Sequence, residues 1–127
     1  MRNLLSLLIC LSVIGCASVK PGNDPLIVHA NQSRELLVVT ADAFLKLEKG
    51  NRDYFWSVSK SIKHSADGTR VAVPRIVESL NKAIDRYKAY KTSNDRTTLE
   101  THIGIVTSTI ADITEVYAKT KEALKAK

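Results

Sequence analysis

The side chains equipped for chemistry are few. Two cysteines, Cys10 and Cys16, lie in or beside the first apolar stretch. Three histidines, His29, His64 and His102, fall on three separate segments, and no pair has the i, i+4 spacing of a helical metal site. Scattered boundary histidines are the plainer reading. Serine and threonine are too common for a Ser-His-carboxylate grouping to carry weight. No nucleophile elbow or glycine-rich phosphate loop occurs, and the chain holds only five glycines. The carboxylates are spread along polar faces, with no pair marked out for acid-base work. The expectation is a protein that is not an enzyme, with no metal and no cofactor.

One cysteine stands apart by its context. Arg2 and Asn3 precede the run Leu4-Leu5-Ser6-Leu7-Leu8-Ile9-Cys10-Leu11-Ser12-Val13-Ile14. A membrane-spanning helix needs roughly 20 apolar residues, so this run is short for a permanent span. A positive start, a short apolar core and small residues after it describe a removable export signal. Val13-Ile14-Gly15-Cys16 resembles the lipobox of bacterial lipoproteins. There a thiolate, a strong nucleophile, takes a diacylglycerol group as a thioether. The resemblance implies cleavage between Gly15 and Cys16, acylation at Cys16, and a membrane anchor without a transmembrane helix. In Gram-negative lipoproteins, Asp after the cysteine favours the inner membrane. Here Ala17 and Ser18 follow, which implies the periplasmic face of the outer membrane.

Residues 1–15 are therefore set aside as signal, 16–24 as lipidated cysteine and tether, and 25–127 as one helical domain. The full chain carries 19 Lys and Arg against 13 Asp and Glu, a net charge of +6. Loss of Arg2 leaves about +5. Cys10 departs with the signal and Cys16 is consumed by lipid, so no disulfide staples the mature domain. The charge favours an anionic envelope component or an acidic envelope protein. Nucleic acid fits the charge but not the compartment.

Apolar spacing predicts three helices. The first runs from Pro25 to about Lys49, with Asp24 as N-cap and a stripe through Ile27, Ala30, Arg34, Leu37, Ala41, Phe44 and Glu48. Leu26, Leu36, Val38, Leu45 and Leu47 widen that face, and Gly50-Asn51 is its natural stop. Alternatively it continues to about Trp56. The second carries Val73, Val77, Leu80, Ile84 and Tyr87. It starts near residue 70 with Pro74 in its first turn, or near 60 with a kink at Pro74, and the longer form is favoured. The third runs from about 96 to 124, after a turn at Lys91-Thr92-Ser93-Asn94-Asp95 that holds N-cap candidates, and Thr97 to Glu100 has capping-box spacing. Its residues Leu99, Ile103, Val106, Ile110, Ile113, Tyr117, Thr120 and Leu124 alternate steps of four and three, the 3.5-residue repeat of a packed seam. The architecture expected is all-α, a small antiparallel three-helix bundle running up-down-up.

Two groups are candidates for partner contact. Phe55 and Trp56 belong to the aromatic cluster Tyr54-Phe55-Trp56, and aromatics are enriched at binding hot spots. Closure of the core at one end of the bundle is the plainer reading of that cluster. Arg75, Lys82 and Arg86 lie on the basic second helix, with Arg70, Lys88 and Lys91 nearby. An ordinary solvated face is the plainer reading there. Lys127, ending a helical chain, resembles the terminal lysine of the major peptidoglycan-linked lipoprotein, which implies wall attachment. Self-association through the seam stays open, as does a role as an immunity or exclusion factor at an envelope receptor, or as a small enzyme accessory.

Overall fold

The computed structural model describes residues 24–127; the signal segment, Gly15, Cys16 and the tether as far as residue 23 lie outside the described residues. The described chain is all-helical, in four helices: α1 (Pro25–Gly50), α2 (Arg52–Val58), α3 (Lys60–Tyr90) and α4 (Ser93–Lys125). Three helices were expected, and the fourth corrects that count. Helix α1 ends at Gly50, where Gly50-Asn51 predicts the stop, and does not run on unbroken to Trp56. Asn51 leaves the helical region at φ −130°, its backbone N–H donates to the Glu48 carbonyl, and the chain then re-enters a helix. The Asn51 side-chain amide also donates to the Leu47 carbonyl at 3.0 Å, satisfying an oxygen that the helix end would orphan.

The longer form of the expected second helix is the one present. Helix α3 continues through Pro74 for 31 residues, about 45 Å at 1.5 Å per residue. Pro74 is exposed, so its missing N–H falls on the outer face of the helix. Helix α4 begins earlier than the capping-box spacing predicts. The true cap is Thr92, whose hydroxyl accepts from the Asp95 N–H at 3.1 Å. Thr97 is already inside the helix and donates back to the Ser93 carbonyl. Thr101, Thr107, Thr109 and Thr120 make the same backward bond one turn earlier. Those bonds let a threonine-rich segment remain helical, and let Thr120 sit fully buried.

Contacts between named residues set the helix directions. Tyr87, near the end of α3, donates to Asp24 at the start of α1 at 2.6 Å. Arg34 of α1 reaches Asn81 of α3. At the opposite end Arg70 of α3 meets Glu48 of α1. Helices α1 and α3 are thus antiparallel. Tyr54, just past α1, donates to the Ala123 carbonyl near the end of α4, so α1 and α4 run the same way.

The core is one apolar column. Leu37, Phe44, Phe55, Leu80, Leu99 and Val106 have essentially no exposed surface. The α4 seam is buried at Leu99, Ile103, Val106, Ile110, Ile113 and Thr120, while Tyr117 and Leu124 are partly covered. Two assignments on α1 are corrected. Ser33, not Arg34, is buried; Arg34 keeps its guanidinium at the boundary on Asn31 and Asn81. Val38 is exposed rather than part of the apolar face. Lys91 closes α3 at φ 52°, a left-handed conformation that strains any residue with a Cβ.

The Asp24 carboxylate joins two ends of the chain. The hydrogen bond from Tyr87, then that from the Leu26 N–H, holds its carboxyl below the usual range, and the same bond raises the Tyr87 phenol. A lowered carboxyl adds stability at pH values above its unfolded pKa, and loses it as pH falls through the folded value. Stability should therefore decline below about pH 4, where carboxylates ordinarily titrate. In Tyr87→Phe this acid limb should be shallower in denaturant titrations run between neutral and acid pH. Superimposable limbs for the two proteins would remove Asp24 from the account.

Candidate functional site

Four elements converge at the α2 end: the last turn of α1, all of α2, the first turns of α3 and the end of α4. Glu48 is the register residue of α1 that should carry an apolar side chain. Its carboxylate is fully buried. Burying a carboxylate is costly unless cations and hydrogen bonds replace water. Here Arg70 Nη2 lies 2.8 Å from Oε2 and Arg52 Nε 3.2 Å from Oε1. The same two arginines reach Oδ1 of Asp67, at 3.1 and 3.2 Å, and Lys63 Nζ holds its Oδ2 at 3.1 Å. The Lys63 hydrogen bond is the main reason the Asp67 carboxyl is lowered. Both oxygens of both carboxylates are committed. The cluster is a brace between α1, α2 and α3, with no free acid-base group facing solvent.

The brace determines where the aromatic residues point. Phe55 is completely buried, against the expectation that it contacts a partner; its ring meets Tyr54 edge-on at 5.6 Å. With Asn51 turning the chain, α2 folds Phe55 inward as the end plug of the core. Trp56, the next residue, is then turned outward and is 51% exposed. Lys63 Nζ lies 4.7 Å and Lys60 Nζ 5.4 Å from its ring centroid, in cation–π range. Val58, also exposed, closes α2. Lys127 Nζ lies 5.4 Å from the Tyr54 ring and 3.3 Å from the Asn51 amide oxygen.

Arg75, Lys82 and Arg86 do share the outer face of α3, at spacings of seven and four. They do not make a uniform basic patch. Glu78 pairs with Lys82 at 3.2 Å, and Arg86 is drawn to Asp95 at 2.9 Å and towards the Tyr90 ring. Packing also sets acidic neighbours beside this half of α3. Residues 24–45 with 71–114 hold seven Lys and Arg against eight Asp and Glu, net −1. Residues 46–70 with 115–127 hold ten against five, net +5. Helix α3 keeps its own excess of cations, but counted with its neighbours in the fold the net positive charge lies at the α2 end.

Spacing alone gave some notice of this. Trp56, Lys60 and Lys63 recur at four and three, and Glu48 occupied a core register. Nothing in the sequence paired Glu48 with Arg70, 22 residues later. His29 and His64 are exposed and His102 is half-buried, and among the described residues no group of three His, Cys, Asp or Glu is placed to hold a metal. A side groove of about 250 Å³ runs between α3 and α4, lined by Gly68, Ala72, Val73, Thr109, Asp112 and Val116 among others. Among the described residues no helix is long and apolar enough to cross a membrane. Comparison with protein-family models, with curated proteins and with solved structures finds no match.

The brace can be measured by a double-mutant cycle. Arg70→Met should destabilise by about 2–4 kcal/mol, because it leaves the buried Glu48 carboxylate with Arg52 alone. Glu48→Met should cost less, because Arg52 and Arg70 are partly exposed and keep Asp67. The double variant should cost clearly less than the sum, and simple additivity would deny the coupling. The two aromatics should part company in the same assay. Phe55→Ala should cost about 3–5 kcal/mol as a large core deletion. Trp56→Ala should cost about 1 kcal/mol or less, the scale of an exposed cation–π contact.

Proposed function

We propose that this chain is a lipid-anchored lipoprotein of the bacterial cell envelope, acting as a non-enzymatic binding or structural module. The observation that carries the reading is Val13-Ile14-Gly15-Cys16, placed directly after a short apolar run. In this reading residues 1–15 are removed, Cys16 carries the acyl groups, and residues 17–23 link lipid to domain. Ala17 and Ser18 direct it to the periplasmic face of the outer membrane in a Gram-negative host.

The three long helices serve as an up-down-up bundle, and α2 is its cap. Two features of the described domain support a binding or scaffolding role. Its core is filled by apolar side chains from all four helices. Its Glu48 and Asp67 carboxylates at the α2 end are tied to arginine and lysine rather than open to a substrate. Asp24 and Trp56 lie at opposite ends of the domain, so the lipid attachment and the basic end are separate surfaces.

Growth with a labelled fatty acid, followed by membrane fractionation, tests the anchor. The wild-type chain should take up label and sediment with membranes at a mass lacking residues 1–15. Cys16→Ser should lose the label and the cleavage. A Cys16→Ser chain that remains with membranes at the shorter mass would refute lipidation at this site.

A further inference from the structure

We propose that the α2 end is a docking surface for an anionic lipid bilayer, acting through Trp56 and the lysines around it. The inference deepens the envelope reading, but its contact does not involve Cys16. Trp56 and Val58 are each more than half exposed, two positions apart on the shortest helix. Indole rings settle at the boundary between headgroups and acyl chains, where one side is apolar and the other wet. Lysine stems lie along such a surface while their ammonium groups reach the phosphates.

The charges available for this are unspent. Among the described residues Lys49, Lys60, Lys121 and Lys127 at this end have no carboxylate within salt-bridge distance, against Lys88 and Lys91 at the other, whereas Lys46, Lys63, Lys82, Lys119 and Lys125 each have one. Lys60 and Lys63 flank the Trp56 ring itself. The net +5 of this end faces a net −1 over the rest of the domain. Such polarity turns the α2 end towards an anionic surface. Because residues 17–23 are too short to span the length of α1, the anchored domain lies along that surface rather than standing on the anchor end. The side groove between α3 and α4 involves neither Trp56 nor Val58. An exposed indole flanked by two lysine ammonium groups suits a negatively charged surface.

The brace explains why this end can bear the contact. Glu48, Arg52, Asp67 and Arg70 lock α2 against α1 and α3, so Trp56 is presented on a fixed support.

Trp56 is the single tryptophan, so intrinsic emission reports this site alone. The full chain should be mixed with vesicles of phosphatidylcholine, with or without phosphatidylglycerol, and with lipids brominated on the acyl chain. The expected result is a blue shift and bromine quenching on anionic vesicles, both several-fold weaker on neutral ones and reduced by added salt. Lys49→Gln/Lys60→Gln should weaken both effects while helical circular dichroism is unchanged, since neither lysine pairs with a carboxylate. Sedimentation of the chain with anionic vesicles without any change in Trp56 emission would overturn the proposal, because the chain would then be held elsewhere. Equal shifts on neutral vesicles would also overturn it. So would an equal shift with soluble polyphosphate, which would mark a general polyanion site. Each outcome is independent of the Cys16→Ser fractionation, so loss of one reading is distinguishable from loss of the other.

Discussion

A carboxylate with no exposed surface sits at the end of the apolar column, and the geometry of that end follows from keeping it satisfied. Glu48 cannot shed its charge cost to water. Arg52 and Arg70 must come to it, from α2 and α3. Asp67 then offsets the surplus positive charge, and Lys63 completes the set. One buried group thus ties three helices at a single level. It fixes the angle at which the chain leaves α1, and so decides that Phe55 faces inward and Trp56 outward.

The far end is held by different means. Asp24 accepts from Tyr87 and from the Leu26 N–H, closing the start of α1 onto the end of α3. Thr92 and Asp95 cap α4 while Asp95 also anchors Arg86. Carboxylates are matched to cations or hydroxyls at both ends, but the balance of charge differs. The α2 end carries a net positive charge, while the rest of the domain is close to neutral. Function is therefore sought there: anchoring is assigned to Cys16 in the proposed lipobox, and contact to the end of the domain farthest from residue 24.

The helices themselves were largely legible. The four-three alternation from Leu99 to Leu124 marked α4, and its core members are those the structure buries or half-buries. The stripe on α1 was right in phase but not at every residue, because a long side chain such as Arg34 can leave the core register and bond at the boundary. The break at Asn51 was signalled by Gly50-Asn51. The return to helix immediately afterwards was not, since seven residues are too few to show a period. The site was half legible: Trp56, singled out by type, is exposed, whereas Phe55 and Arg75, Lys82 and Arg86 were judged by residue type without their neighbours.

By itself the sequence determined helical content, the phase of each buried face and the cap at Asp24. Those are local properties, set by backbone propensity and by side chains within a turn or two of each other. Tertiary structure alone decided that Glu48 would meet Arg70, that Phe55 would be covered, and that the net charge of the packed helices would be greatest at the α2 end. The physical reason is that burial and electrostatics depend on distance in space. Acidic side chains of α1 and α4 neutralise one half of α3, and only the packed helices bring them there.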